Sequence, residues 1–323
     1  MNLNEPLLDK KVVIEIKDLT KSYGNRSAIK QLDFKIFKGD VVGLLGPNGA
    51  GKSTTMKIIS GFMSPTSGVA FVCGYDVFEN PIEVKKRIGY LPETPPLYLE
   101  MTVQDYLQYV AELKQVPKAE VKKNIEKSLV KTQLSEVRNR IINNLSKGFK
   151  QRVGIAQALV SNPDILILDE PTVGLDPKQV AEIRHLINEL KGEHTIILST
   201  HILSEVEAVC NKIIIIHQGE LILQDTIENI YKYQTNQKKS QAKVHLKFKN
   251  EAKIDFKSLS GILNVNEINL KNYVLTIEDD EQTMNVLLKF LIDSKVHLID
   301  LKTEESNLEE IFINLTYNKL ENL

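Results

Sequence analysis

The chain has 323 residues, 42% of them hydrophobic and 26% charged, with a net charge of −1 and only two cysteines. This length and composition suit about two globular domains with sizeable cores, and the neutral balance removes any global electrostatic argument for a nucleic-acid or anionic-membrane partner. Cys73 and Cys210 lack metal-ligand spacing and read as reduced, buried small hydrophobes of a cytosolic protein.

The start, Met1 to Pro6, has no signal-peptide pattern, and the longest apolar runs fall far short of the roughly 20 residues that span a bilayer. Work at a membrane would therefore need another chain to supply the span. Ile14 and Ile16 alternate with Glu15 and Lys17, and Leu32, Phe34 and Ile36 alternate with Asp33 and Lys35. Both segments read as strands of a small β layer. Next comes the apolar run Val41 to Leu45, then Gly46-Pro47-Asn48-Gly49-Ala50-Gly51-Lys52-Ser53-Thr54, then a helix predicted from Thr55 to Ser60. Strand, Gly-rich loop and helix in this order make a phosphate-binding loop. Glycines at 46, 49 and 51 let the backbone N–H groups curl around one anion. The helix adds its positive end, Lys52 a cation for the outer phosphates, and Ser53 a hydroxyl for Mg²⁺.

Residues 81–160 are mostly helical in pattern, with helices predicted at Val103 to Leu113 and Ala119 to Leu129. Ile165 to Leu168, Ile196 to Leu198 and Ile213 to Ile216 then read as strands of a sheet buried on both faces. Gln218-Gly219 turns the last of them into a hairpin with Leu221 to Leu223. From Asn229 to Asn250 there is no Asp or Glu and lysines accumulate at 232, 238, 239, 243, 247 and 249, as a solvated linker or a basic contact surface. A second module follows. Val244 to Phe248 reads as a strand, 255–260 as a short helix, and Ile262 to Leu270 and Tyr273 to Ile277 as two strands. Met284 to Leu291 reads as a helix and Val296 to Leu301 as a strand, so the order matches a ferredoxin-like unit. An amphipathic helix, Asn307 to Leu315, closes the chain.

Ile165 to Leu168 ends in Asp169-Glu170. Neighbours on a strand point to opposite sides, so Asp169 is expected to hold Mg²⁺ through water while Glu170 faces the attacking water. At Leu145-Ser146-Lys147-Gly148-Phe149-Lys150-Gln151-Arg152 the chain resembles the ABC ATPase family, whose signature there reads Leu-Ser-Gly-Gly-Gln. The resemblance covers about residues 10–230. It implies that Tyr23 stacks on adenine, that Gly174-Leu175-Asp176-Pro177 is the family's D-loop, and that Ser199-Thr200-His201 carries its switch histidine. Lys147 and Phe149 stand where the family usually has Gly and Gln, whereas Ser146 and Gly148, the positions expected to touch the γ-phosphate, are kept. Glu93 stands where a Gln usually ligates Mg²⁺, and its carboxylate is expected to take that place as a Mg²⁺ ligand and link to the partner.

Gly89 to Glu93, the signature and Leu308-Glu309-Glu310-Ile311-Phe312 resemble the ATP-binding subunits of ABC-2-type exporters, including drug-export and gliding-motility-type ATPases. That resemblance implies an α/β P-loop ABC ATPase domain over 1–235, with an antiparallel β subdomain and a helical insertion at about 90–160, and a small α+β accessory domain over 240–323. The implied active form is a homodimer with two ATP molecules in its interface, each bound by loop 46–54 of one copy and Ser146 and Gly148 of the other. Glu170 is then the general base, His201 the γ-phosphate sensor and Asp176 the link between the sites. The implied partner is a separate multi-span membrane permease, which places the chain on the cytoplasmic face; the region Pro92 to Pro96 faces that subunit. No nucleic acid is expected. The alternative is a soluble ABC-type ATPase that remodels a nucleoprotein or other macromolecular partner, but such proteins usually carry two cassettes or a long coiled coil, and this chain has neither. The transported substrate is left to the partner.

Overall fold

A computed structural model of the chain describes residues 11–230, 241–251, 254–278, 281–294 and 296–304. The chain divides into two units, Met1–Ile227 and Glu228–Leu323.

In the first unit β1 (Val12–Tyr23) and β2 (Arg26–Phe37) form a long hairpin, followed by β3 (Val41–Leu45) and α1 (Lys52–Ile59). Next come β4 (Ser67–Val72), β5 (Tyr75–Asp76), α2 (Pro81–Arg87) and β6 (Ile88–Leu91). The helices α3 (Val103–Leu113), α4 (Lys118–Lys131) and α5 (Lys147–Leu159) precede β7 (Ile165–Asp169) and α6 (Pro177–Leu190). The unit ends with β8 (Thr195–Thr200), α7 (Leu203–Val209), β9 (Lys212–His217) and β10 (Glu220–Thr226). One sheet is antiparallel with order β2-β1-β4-β5, the expected small β layer. The other has order β10-β9-β3-β8-β7-β6 and is parallel except for β10.

Burial explains the parallel sheet. Every residue of β3, β7 and β8 is buried, as strands covered on both faces require. Alternation then sorts the side chains. Ile165 and Ile167 join the core beneath α1, while Leu166 and Leu168 join the core against α5 and α6. The helical part has its own core. Val103, Tyr106, Leu107, Val110 and Ala111 form the buried face of α3, in the i, i+3, i+4, i+7 pattern of an amphipathic helix. They meet Ile125, Leu129, Val153 and Ala156. Thr102 starts α3 by accepting a hydrogen bond from the Asp105 N–H.

Several expectations are corrected. The helix after the phosphate loop starts at Lys52, not Thr55, so Lys52, Ser53 and Thr54 occupy its first turn. Ile88–Leu91 is not part of the helical insertion; it pairs with β7 as an edge strand of the parallel sheet. α6 has no counterpart among the elements expected from the sequence, although Ile183, Leu186, Ile187 and Leu190 form its buried stripe at helical spacing. Neither cysteine is fully buried, and Cys73 occupies a left-handed turn position between β4 and β5. No helix among the described residues is long and apolar enough to cross a membrane.

The second unit contains β11 (Gln241–Phe248), β12 (Ile262–Asn269), β13 (Asn272–Glu278), α8 (Glu281–Asp293) and β14 (Leu298–Glu304). Its antiparallel sheet has order β12-β13-β11-β14, the ferredoxin-like order. The expected first helix is a single 3₁₀ turn, Phe256–Ser258, in which only Phe256 is buried. One anchor residue, packed 5.3 Å from Tyr273, does not make the apolar stripe a longer helix needs. The acid-free stretch is in part strand, with Val244, Leu246 and Phe248 buried in the core beside Leu275 and Leu287. The predicted helix Asn307 to Leu315, the motif Leu308 to Phe312 and the lysines at 232, 238 and 239 lie outside the described residues.

Candidate active site

The C-terminal ends of β3, β7 and β8 lie side by side, and each runs into a loop that carries a candidate residue. After β3 the chain makes a tight loop. Gly51 has φ 110°, and a Cβ there would stand 2.6 Å from the Ala28 carbonyl oxygen. A Cβ on Gly46 would stand 2.2 Å from the Ile216 carbonyl oxygen, so neither position admits a side chain. No side chain caps the N-terminus of α1, which leaves its first N–H groups and positive end available to an anion. The Lys52 ammonium donates to the carbonyls of Gly46 at 2.7 Å and Pro47 at 3.4 Å.

Across the loop, Lys52 Nζ lies 3.5 Å from Glu170 Oε1, both side chains nearly buried. His201 Nδ1 is 3.1 Å from Glu170 Oε2. Ser53 Oγ donates to Asp169 Oδ1 at 3.1 Å. The structure thus brings Lys52, Ser53, Asp169, Glu170 and His201 together. It corrects the reason why Asp169 and Glu170 diverge. β7 ends at Asp169, and Glu170 has φ 48°, so a left-handed kink, not strand alternation, swings its carboxylate toward Lys52 and His201.

Ser199 has a larger part than its place in the Ser199-Thr200-His201 motif suggests. Its hydroxyl donates to Asp169 Oδ1 at 2.5 Å and accepts from the Glu170 N–H at 2.9 Å. One side chain therefore holds the Asp169 carboxylate and the Glu170 backbone. The hydroxyl of Ser53 and the carboxylate of Asp169 are hard oxygen donors, and they fit Mg²⁺, which keeps waters and phosphate oxygens as its remaining ligands.

The other predicted residues sit apart from this cluster. Tyr23, half exposed, ends β1 opposite Arg26 and donates to Met63 Sδ at 2.8 Å. Arg26 reaches the phosphate loop, 3.7 Å from where a Cβ on Gly49 would be, so the hairpin that carries Tyr23 borders the loop. Ser146 caps α5 by accepting from the Phe149 N–H at 3.4 Å, and Gly148 is buried in the first turn of that helix. Lys147 directs its ammonium over Gly174. Among the described residues, no hydrogen bond joins Ser146 to Lys52 or Glu170 within the chain. Asp176 caps α6 by accepting from the Gln179 N–H at 2.9 Å, a local task besides the expected link between the two sites. Glu93 lies two residues beyond β6 and is exposed. β6 pairs with β7, so Glu93 shares the sheet end of Asp169 without bonding to it.

A phosphate loop, a carboxylate pair at the end of a buried strand and a histidine just past the end of the neighbouring strand define a P-loop nucleotide hydrolase. Residues 29–173 match the family described as ABC transporter, and residues 234–316 match the C-terminal domain of ATP-binding proteins like DrrA1-3. The bacitracin transport ATP-binding protein BcrA of Bacillus licheniformis is 32% identical, over 94% of this chain and 97% of its own length. The ATP-binding protein NatA of Bacillus subtilis is 39% identical, over 68% of this chain and 92% of its own. Among solved structures, an ATP-binding subunit of an ABC transporter matches with a TM-score of 0.63 and 34% identity, over 68% of this chain and 92% of that one. A cassette dimer in a post-hydrolysis state, bound to ADP and Pi, matches with a TM-score of 0.61 and 28% identity, over 66% of this chain and 98% of that one. The chain belongs to the family of ABC transporter ATP-binding subunits and is an ATPase of that family.

Proposed function

We propose that this chain hydrolyses ATP to drive an exporter through a separate multi-span membrane subunit on whose cytoplasmic face it sits. The observation that carries the reading is the assembly of Lys52, Glu170 and His201 in one contact network beside Ser53 and Asp169. In this reading Lys52 leaves the carbonyls of Gly46 and Pro47 for the outer phosphates. Glu170 takes the proton of the attacking water, which makes it the general base. His201 contacts the γ-phosphate and orients Glu170 through the Nδ1 contact. Ser53 and Asp169 would hold Mg²⁺, which neutralises charge on the phosphates when bound. Ser199 keeps Asp169 and Glu170 aimed at different tasks.

Ser146 and Gly148 make no such contact in their own chain. Ser146 is exposed, whereas Gly148 is buried against Gln179. In this reading Ser146 and the N-terminal turn of α5 cover ATP bound to a second copy, Gly148 being reached once Gln179 moves aside, so two copies close around two ATP molecules. The solved cassette dimer bound to ADP and Pi supports this arrangement. The exporter role draws on the DrrA-like domain and on relatives named for bacitracin transport and linearmycin resistance.

The membrane subunit needs a docking surface. A cavity of about 740 Å³ lies between α2, β6 and α3, lined among others by Phe62, Tyr90, Tyr98, Tyr106 and Lys114. Burial lowers the Lys114 pKa, and among the described residues its ammonium donates to the carbonyls of Lys85 and Ile88 and to no carboxylate. The Tyr90 hydroxyl is buried without a partner among the described residues. An apolar floor with an unneutralised cation suits a short amphipathic segment of the membrane subunit that carries a carboxylate.

The test is to purify the chain, measure Mg²⁺-dependent ATP hydrolysis, and follow its distribution with and without the multi-span partner. Hydrolysis together with membrane association only in the presence of the partner is the expected result. Absence of hydrolysis, or tight binding to pure lipid vesicles, overturns the reading.

A further inference from the structure

Glu205, on α7, is a buried carboxylate that the mechanism above does not use; it is 3% exposed. Its Oε1 accepts from the Thr172 hydroxyl at 2.6 Å, and its Oε2 accepts from the Thr200 hydroxyl at 2.8 Å. No Lys, Arg or His among the described residues forms an ion pair with it. A carboxylate in this setting is costly unless its oxygens are bonded, and here one hydroxyl comes from the last residue of β8 and the other from the loop after β7. Thr200 precedes His201 and closes the turn into α7 by accepting from the Ile202 N–H at 3.0 Å. Thr172 lies two residues after Glu170, in the turn that leads to Asp176. That turn is also held from its other side, because Gln151 Nε2 donates to the Pro171 carbonyl at 2.8 Å from within α5, the helix capped by Ser146.

We infer that Glu205 is a positioning residue that clamps the His201 turn to the Glu170–Asp176 turn, so that the two loops, and through Gln151 the Ser146 helix, move as one body. The inference rests on the ATPase reading of Glu170 and His201. The geometry explains why a carboxylate is used. Each of its two oxygens accepts one hydroxyl proton, which fixes the spacing of the two loops at both ends. An amide has one acceptor oxygen and can hold only one of them in this way. His201 Nδ1 lies 3.1 Å from Glu170 Oε2, and a shift of about 1 Å in such a contact costs on the order of 10²-fold in rate.

The test is single-turnover ATP cleavage by Glu205→Gln, by His201→Ala and by the double variant, with ATP affinity and melting temperature measured on each. Thr172→Val and Thr172→Ser form a second series that leaves the carboxylate in place. Glu205→Gln should lose on the order of 10²-fold in cleavage rate while ATP affinity stays within about twofold, because the phosphate loop is untouched. In the His201→Ala background the same change should cost little more, since the two residues act through one contact. Thr172→Val should lower the rate and Thr172→Ser should restore it, because Ser keeps the hydroxyl. Independent, multiplying losses from Glu205 and His201 overturn the inference, as does a Thr172→Val rate equal to wild type. If the wild-type chain hydrolyses ATP and the Glu205 and Thr172 variants cleave it at the same rate, the clamp fails and the ATPase reading stands. If His201→Ala cleaves at the wild-type rate, the reading beneath it fails.

Discussion

Replacing Glu170 by Gln keeps the shape of the side chain and removes its charge. In the structure that charge lies 3.5 Å from the Lys52 ammonium and 3.1 Å from His201 Nδ1, with the side chain 11% exposed. At an effective dielectric constant near 20, a unit pair at this separation attracts by about 5 kcal/mol before desolvation is counted. That attraction holds the carboxylate at the phosphate loop, and it also occupies the cation that the phosphates need. The Gln variant should therefore show two effects of different sign. Without a proton acceptor, cleavage should fall by about 10²–10⁴, or roughly 3–5 kcal/mol of barrier. With Lys52 released and a negative charge removed from beside the phosphates, ATP affinity should hold or tighten, and a closed two-copy state should accumulate. Single-turnover cleavage, ATP binding and size-exclusion chromatography with ATP report the three quantities separately. Cleavage at the wild-type rate removes Glu170 from the chemistry. A loss of ATP affinity equal to the loss of rate makes it a binding residue only.

Lys52→Ala should weaken ATP binding and abolish turnover together, read by nucleotide titration, because α1 keeps its positive end but loses the charge-assisted contact. Glu93→Gln should keep or raise basal ATPase activity and lower the Mg²⁺ needed for half-maximal rate; identical Mg²⁺ curves place the exposed Glu93 outside the metal's surroundings. Burial holds the His194 ring, which bonds the Pro163 carbonyl, below its ordinary pKa of 6.5. The folded chain prefers the neutral ring while the unfolded chain protonates near that value, so this contribution is intact above about pH 6.5 and is lost as the pH falls. Thermal melts should show that His194→Asn flattens the acid limb below about pH 6.5, and an unchanged limb refutes the assignment.

The phosphate loop, the buried strands and the helices α3 and α4 were legible because each is written within a few consecutive residues. Glycines at 46, 49 and 51 before Lys52 specify one turn, and the stripe from Val103 to Ala111 specifies one helix face. Resemblance added Ser146, Asp176 and His201, whose meaning depends on spacing along the chain. Contacts across the parallel sheet carry no such local signal. Ser53 and Asp169 are 116 residues apart, Ser199 and Asp169 are 30 apart, and Thr172 and Glu205 are 33 apart. A parallel strand pair places distant segments side by side, and its register decides which hydroxyl meets which carboxylate. For the same reason alternation along β7 accounted for its leucines and isoleucines but failed at Glu170. The chain leaves the strand there in a left-handed turn, a conformation secured by the Ser199 hydroxyl on the next strand and not by the sequence Asp169-Glu170 itself.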